Sequence, residues 1–221
     1  MKVGTDAFML GAWVKVKDED QSALDIGCGS GIISLMLAQR SRAFIDAIDV
    51  HQPSVEEAAE NFNSSPWPSR LMAIHSSLEQ FAGNPSKTYD LIVSNPPFFQ
   101  NSMLSASENL SLAKHNVQLS LCDFLKFATG LLKEKGRLCV ILPVAESKLV
   151  LADTGKYGLF LCRKLIVVPK EGKLSNRVVL ELSREDCPEV YIDRITLRNA
   201  EGKFTEAYKN LTHEFHPRQY F

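Results

Sequence analysis

The chain has 221 residues, 45% of them hydrophobic and 23% charged, and a formal net charge of −1. That length and apolar share suit one globular domain with a large core, and no Pro/Gly/Ser-rich linker divides it. The near-neutral balance excludes a strongly basic, DNA-coating protein while leaving room for a local basic patch.

In chain order, SALDI reads as a first strand over 22–26, followed by a helix from about 30 to 40. AFIDAID (43–49) reads as strand two, with a helix at about 53–63. RLMAIH (70–75) is strand three, with a short helical stretch at 77–82, and YDLIVS (89–94) is strand four. A helix at about 118–132 precedes strand five, RLCVILP (137–143). A helix near 145–155 leads to strand six, GLFLCRKLIVVP (158–169), and strand seven, RVVLELS (177–183). Strands alternating with helices imply right-handed βαβ units and a mostly parallel sheet with helices on both faces. The short loop KEGKLSN makes the last two strands an antiparallel hairpin. Beyond it lie an extended piece, YIDRITLRN (191–199), and a helix, TEAYKNLTHEF (205–215). Ahead of strand one, Met9, Leu10 and Trp13 share one side of a short helix and read as core.

Five cysteines, Cys28, Cys122, Cys139, Cys162 and Cys187, form no C-x-x-C pair. Most sit in apolar runs and read as small core residues, not as zinc ligands or disulfide partners. His213 and His216 have no carboxylate or Cys spaced to complete a metal site, so no metal is expected and both read as surface residues. The stretch MKVGTDAFMLGAWVKVKDED lacks the layout of a signal peptide. No apolar run approaches the ~18 residues of a membrane span. These features point to a reduced cytoplasm and no membrane partner.

In such a sheet, ligands sit beyond the carboxyl ends of the strands. Strand one runs into Asp25-Ile26-Gly27-Cys28-Gly29-Ser30-Gly31. Glycines let the chain turn tightly and let a ligand approach the backbone. A dinucleotide fingerprint would be G-x-G-x-x-G/A. Here the third glycine comes one residue early and Ile32 stands where Gly or Ala belongs, so the loop reads as D-x-G-x-G-x-G. Alone, such a turn can be a plain strand-to-helix connection; Asp25 and the spacing make it a ligand loop. Asp49 closes strand two about 20 residues on, where a carboxylate can accept both hydroxyls of a ribose. The plainer alternative is a surface Asp at a strand end.

These residues resemble the class I S-adenosylmethionine-dependent methyltransferases, over residues 20–185 in order. DIGCGSG is similar to their first motif and Asp49 to their ribose-binding acid. The resemblance implies a Rossmann-like, seven-stranded mixed sheet ending in an antiparallel hairpin. It also implies a donor site built from Asp25, Gly27, Gly29, Gly31, Asp49 and Val50. The whole chain, 1–221, is then a single methyltransferase domain. Within it, 1–19 form a helical segment over the donor and 186–221 an extension.

Strand four ends in Ser94-Asn95-Pro96-Pro97-Phe98. Prolines cannot donate to a sheet, so pairing stops there. With a methyl donor beside strand one, this strand end faces the acceptor. An aromatic amine is a poor nucleophile because its lone pair is delocalised into the ring. It is activated when the enzyme accepts hydrogen bonds from its two N–H groups, so that the nitrogen pyramidalises. The Asn95 side-chain oxygen and the Pro96 carbonyl supply those acceptors, and Pro97 restricts Pro96 to an extended conformation. Phe98 supplies a flat surface, and such stacking is worth about 1–3 kcal/mol per base. The alternative is a proline-broken strand end with its aromatics packed inward. NPPF is similar to the (D/N/S)-PP-(Y/F) motif of amino-methyltransferases acting on adenine N6, cytosine N4, guanine N2 or glutamine amide.

A narrower resemblance is to the bacterial tRNA1(Val) adenine-N6 methyltransferases, which act at position 37. It is carried by MKVGTDAFMLGAW, LDIGCGSGIISLMLAQR, NFNSSPWPSR, LIVSNPPFFQNS, LAKHN and FTEAYKNLTHEF, close to the whole chain. It implies that Lys2, Thr5 and Asp6 border the donor. Three departures stand out. A short Phe-rich segment usually precedes MKVGTD, and here Met1 stands there. Ser77 stands where the family often has an Asp for the donor's adenine. The family's Arg-His pair appears as Lys114-His115. Basic residues should meet tRNA phosphates: Lys170, Lys173 and Arg177 on the hairpin loop, joined by Lys114 and His115. The alternative for any one lysine is a solvated surface charge. The competing functions are a release-factor glutamine or rRNA amino-methyltransferase, and a non-catalytic S-adenosylmethionine- and RNA-binding module. A monomer is expected.

Overall fold

The computed structural model describes residues 4–83, 87–96 and 120–216. Lys2, Pro97, Phe98, Lys114 and His115 lie outside the described residues. The first strand, Ser22–Ile26 (β1), is buried along its whole length, as befits a strand covered on both faces. Phe44–Asp49 (β2) and Tyr89–Ser94 (β4) flank it, both parallel, and Leu71–His75 (β3) lies outside β2. Leu132–Pro143 (β5) runs parallel to β4. Phe160–Val168 (β6) and Arg177–Ser183 (β7) form the expected antiparallel hairpin, with β7 inserted between β5 and β6.

Among the described residues the sheet has eight strands, in the order β3-β2-β1-β4-β5-β7-β6-β8, where the sequence reading gives seven. The extra strand is Tyr191–Thr196 (β8), which pairs parallel with the outer edge of β6. Only Ile195 of β8 is buried, so its sequence carries little of the apolar signal of a core strand. Strand five also starts earlier than expected, at Leu132, through an irregular pairing with Tyr89.

Helices cover both faces. One core cluster joins Thr5–Trp13 (α1), Ile32–Arg40 (α2), Gln52–Asn63 (α3) and Glu206–Thr212 (α7) to the sheet. The other joins Leu78–Gly83 (α4), Leu121–Gly130 (α5) and Val144–Asp153 (α6) to the opposite face. Ser120 caps α5 by accepting from the Asp123 N–H, and Thr205 caps α7 from the Tyr208 N–H. Around α7, Phe204 stacks on Tyr208 at 4.6 Å, and beyond it His216 stacks on Phe8 of α1 at 4.4 Å. His216 is thus half-buried, not the surface residue the sequence suggests.

Cys162 of β6 and Cys187 form a disulfide, with Cα atoms 5.3 Å apart. The sequence reading sets disulfides aside because most cysteines sit in apolar runs and read as small core residues; the structure corrects this for Cys162 and Cys187. The pair is 25 residues apart and meets only because the segment after β7 returns to the start of β6. Cys28 and Cys139 are buried as expected, while Cys122 is exposed.

Candidate functional site

The loop after β1 turns on three glycines, Gly27, Gly29 and Gly31, with φ of 72°, 55° and 79°. These values lie in the left-handed region that favours glycine. The N–H groups of Gly27 and Cys28 both donate to the Ile48 carbonyl, at 2.9 and 3.1 Å. The loop is thereby closed onto the end of β2. Gly31 has a second reason to be glycine: a Cβ there would stand 2.4 Å from Phe62 Cε1 and 3.2 Å from Ala58 Cβ. Asn61 of α3 completes the seam by donating to the Ser30 carbonyl at 2.9 Å.

Asp49 sits where β2 ends. Its Oδ2 accepts from the Gly29 N–H and its Oδ1 from the His51 N–H, each at 2.9 Å. A carboxylate offers about four lone-pair sites, so each oxygen keeps one for a further donor. Val50 follows with its side chain 68% exposed, an apolar surface beside the carboxylate. Its carbonyl is bonded to His75 Nε2 at 3.0 Å.

Asp25 is fully buried beneath the loop. Its Oδ2 accepts from the Ser34 hydroxyl at 2.7 Å and the Ser34 N–H at 3.2 Å, tying β1 to α2. Its Oδ1 is buried and has no hydrogen-bond partner among the described residues. Burial pushes this carboxyl up to about 7, against the Ser34 hydrogen bonds, and the charge of Asp49 adds to the rise. Burial also pushes the Cys28 thiol well up, so it is no nucleophile.

At the end of β4, Ser94 is fully buried and its hydroxyl donates to the Ile26 carbonyl at 2.8 Å. Ile26 and Ser94 are register partners. The half-buried Asn95 and the buried Pro96 therefore leave the sheet directly beside Gly27. Adjacent strands lie about 4.8 Å apart, which sets the lateral distance between the motif and the glycine loop.

Ser77 has a local duty. Its hydroxyl accepts from the Gln80 N–H at 3.1 Å, and the Gln80 side chain accepts from the Ser77 N–H at 3.3 Å. This is a reciprocal cap on α4. It lies just past β3, on the same edge of the sheet as Asp49, whose carbonyl accepts from the Ser76 N–H. Thr5 is exposed on the first turn of α1, and Asp6 accepts from Arg177 Nε at 2.8 Å. The structure thus joins a residue expected at the donor to one expected at the tRNA. Lys170 is half-buried and Lys173 exposed, on a loop closed by the Lys173 N–H to the Lys170 carbonyl at 3.0 Å. Because β6 runs parallel to β5, this loop lies at the same sheet edge as the glycine loop.

Ser94, Ser34 and Asn61 escaped the sequence reading. Ser94 adjoins Asn95 and could have been found as part of the motif. Ser34 and Asn61 carry no local signal, since their partners lie nine and 31 residues away.

The site suits a ligand that carries a ribose, because the open lone pairs of Asp49 can accept from vicinal hydroxyls.

The model of the methyltransferase small domain matches residues 4–154. A tRNA1(Val) (adenine(37)-N6)-methyltransferase of Flavobacterium johnsoniae is 38% identical over 98% of this chain and 92% of its own. The protein of the same name from Haemophilus influenzae (strain KW20 / Rd) is 35% identical over 98% and 91%. Among solved structures, Atu636 of Agrobacterium tumefaciens, an O-methyltransferase by prediction, superposes with a TM-score of 0.69 at 16% identity, covering 95% and 96% of the two chains. A geranyl diphosphate methyltransferase in complex with its substrate and sinefungin gives 0.58 at 12% identity, covering 81% and 78%. These likenesses establish the class I methyltransferase fold.

Proposed function

Because the chain belongs to the tRNA1(Val) (adenine(37)-N6)-methyltransferase family, we propose that it methylates N6 of an adenine in tRNA, at position 37 of tRNA1(Val). Bound at the glycine loop, S-adenosylmethionine supplies an electrophilic methyl group. Asp49 accepts from its ribose, Asp25 and the glycine loop meet its amino-acid end, and Val50, Ser77, Thr5 and Asp6 border the rest. The reading is carried by one juxtaposition: Asn95 and Pro96 leave β4 beside the glycine loop, held there by the Ser94 bond to Ile26.

The Asn95 side-chain oxygen and the Pro96 carbonyl accept from the two N–H groups of the target amine. That localises the lone pair and turns it towards the methyl group. Pro97 fixes the Pro96 carbonyl and Phe98 stacks on the base. Lys114 and His115 follow the motif in the chain, and Lys170, Lys173 and Arg177 lie on or at the foot of the β6–β7 loop. We assign the β6–β7 loop to the tRNA-facing side, and Lys114 and His115 to the same role from the sequence alone. The substrate places the enzyme in the cytoplasm, and a monomer suffices for the site.

The test is incubation with labelled S-adenosylmethionine and tRNA1(Val), followed by nucleoside mass spectrometry. N6-methyladenosine should form with the native protein. Asn95→Ala should lose turnover while still binding S-adenosylhomocysteine, because the side chain acts in the chemical step. Methylation of a release-factor glutamine with tRNA untouched would move the protein to the other amino-methyltransferase class.

A further inference from the structure

Both ends of α1 are held, and by different parts of the fold. At its C-terminal end, Arg40 of α2 donates to the carbonyls of Ala12 and Val14, at 3.4 and 3.1 Å, and also to that of Gly11. Gly11 lies so close to α2 that a Cβ would stand 2.6 Å from Met36 Sδ. The C-terminal turns of α1 and α2 therefore lie together. At the other end, Asp6 in the first turn of α1 meets Arg177, the first residue of β7. Arg177 is the register partner of Pro143, the last residue of β5, and of Val167 near the end of β6. The ion pair thus sits at the carboxyl edge of the parallel strands, where the glycine loop and Asn95 also lie.

Each partner's side chain is only 25% exposed, and Arg177 Nη1 also donates to the Asn176 carbonyl at 3.0 Å. This guanidinium is engaged on two sides by protein. An anion on the first turn of a helix is favoured by the helix dipole, so Asp6 is a natural anchor there. Lys173, by contrast, is exposed on the loop.

We propose that Asp6 and Arg177 are a positioning pair. Arg177 acts through Asp6 instead of binding a tRNA phosphate. It locks the foot of the β6–β7 hairpin to the N-terminal turn of α1, so the tRNA-facing and donor-bordering sides of the cleft keep one spacing. The assignment of those two sides rests on the function proposed above; the bridge itself does not. Methyl transfer demands a short, aligned approach of amine to methyl, and loss of such alignment costs rate more than binding.

Two measurements test the pair. The first is hydrogen exchange of peptides covering 169–177 in ligand-free protein. Asp6→Asn and Arg177→Gln should each speed exchange there, with β1 and β4 unchanged; unchanged hairpin exchange in both variants would overturn the bridge, whatever the activity. The second is steady-state kinetics on tRNA. Both single variants should lower kcat by a similar factor, about 10- to 100-fold. The double variant Asp6→Asn/Arg177→Gln should be no worse than either single, because one interaction is removed once. If Arg177→Gln raises the tRNA KM and flattens its salt dependence while Asp6→Asn does neither, Arg177 is a phosphate ligand and the positioning role is wrong. If the native protein forms no N6-methyladenosine, the proposed function fails, and the exchange result still judges the bridge.

Discussion

At the residue scale, the two carboxylates at the glycine loop respond differently to change. Asp49 props the glycine loop through the Gly29 N–H and keeps acceptor capacity outward. Asp49→Ala should therefore weaken S-adenosylhomocysteine binding by about 1.5–3 kcal/mol, the worth of hydrogen bonds to a charged acceptor. Calorimetry reads this directly, and unchanged affinity would remove Asp49 from the site. Asp25 is a pH-dependent liability. Its carboxyl is raised to about 7 in the fold, chiefly by burial. A raised acid binds its proton more tightly folded than unfolded. Its contribution to stability is thus present below about pH 4 and is lost as pH rises towards 7, by on the order of a few kcal/mol. Thermal melts of the unliganded protein from pH 4 to 8 should show that loss, and Asp25→Asn should flatten it. Equal slopes in the two proteins would mean Asp25 does not titrate in this range. The places of Asp25 and Asn95 are legible because each stands at a strand end beside glycine or proline, and that of Asp49 because it closes a strand about 20 residues past the glycine loop. The second duty of Asp49, as a prop for Gly29, was not legible, since the loop had first to fold back over β2.

At the element scale, α3 is fastened to the glycine loop by the contact of Phe62 and Ala58 with Gly31. Gly31→Ala would place a Cβ in a left-handed backbone, costing about 1–2 kcal/mol. It would also drive that Cβ into the Phe62 ring, and overpacking of this kind costs about 1–3 kcal/mol. Denaturant unfolding should show the sum as a drop in midpoint. Adding Phe62→Leu should recover only the second part, since the backbone strain remains. A midpoint like that of the native protein would mean the loop and α3 do not pack as described. Element positions were legible from apolar runs, because most strands are buried on both faces and read as continuous hydrophobic stretches. Two element-scale features go beyond the sequence reading. Ser77-Leu78-Glu79-Gln80 is a capping box on α4, a duty additional to the place near the donor's adenine that the sequence suggests for Ser77. Arg137 was read simply as the start of strand five. It is buried and paired with Asp20 at 2.5 Å, anchoring the segment ahead of β1. No local pattern reveals a buried charge whose partner lies 117 residues away.

At the scale of the whole molecule, the order of strands decides which loops share a face. The parallel direction of β6 could be read from the βαβ rhythm, and with it the placement of the hairpin loop. The eighth strand and the Cys162–Cys187 bond could not, because both depend on where the chain returns after β7. That return also backs the loop: the Glu171 N–H donates to the Arg198 carbonyl at 2.8 Å, and Glu171 Oε2 accepts from the Ala200 N–H at 3.1 Å. The segment beyond β8 thus braces the loop that carries Lys170 and Lys173 at the carboxyl edge of the sheet. With a net charge of only −1, the molecule as a whole neither attracts nor strongly repels a polyanion, so tRNA affinity must come from local charge. Each phosphate contact releases a counterion and adds about 0.7 to 0.9 to the slope of log affinity against log salt. Replacing both Lys170 and Lys173 with Gln should therefore flatten that slope by roughly 1.4 to 1.8 and weaken tRNA binding most at low salt. S-adenosylhomocysteine affinity should stay the same, because neither lysine belongs to the donor site. Fluorescence titration of tRNA1(Val) over a range of salt measures the slope directly. A slope equal to that of the native protein would mean that the braced loop faces solvent when tRNA is bound, and that the phosphates are met elsewhere on the cleft.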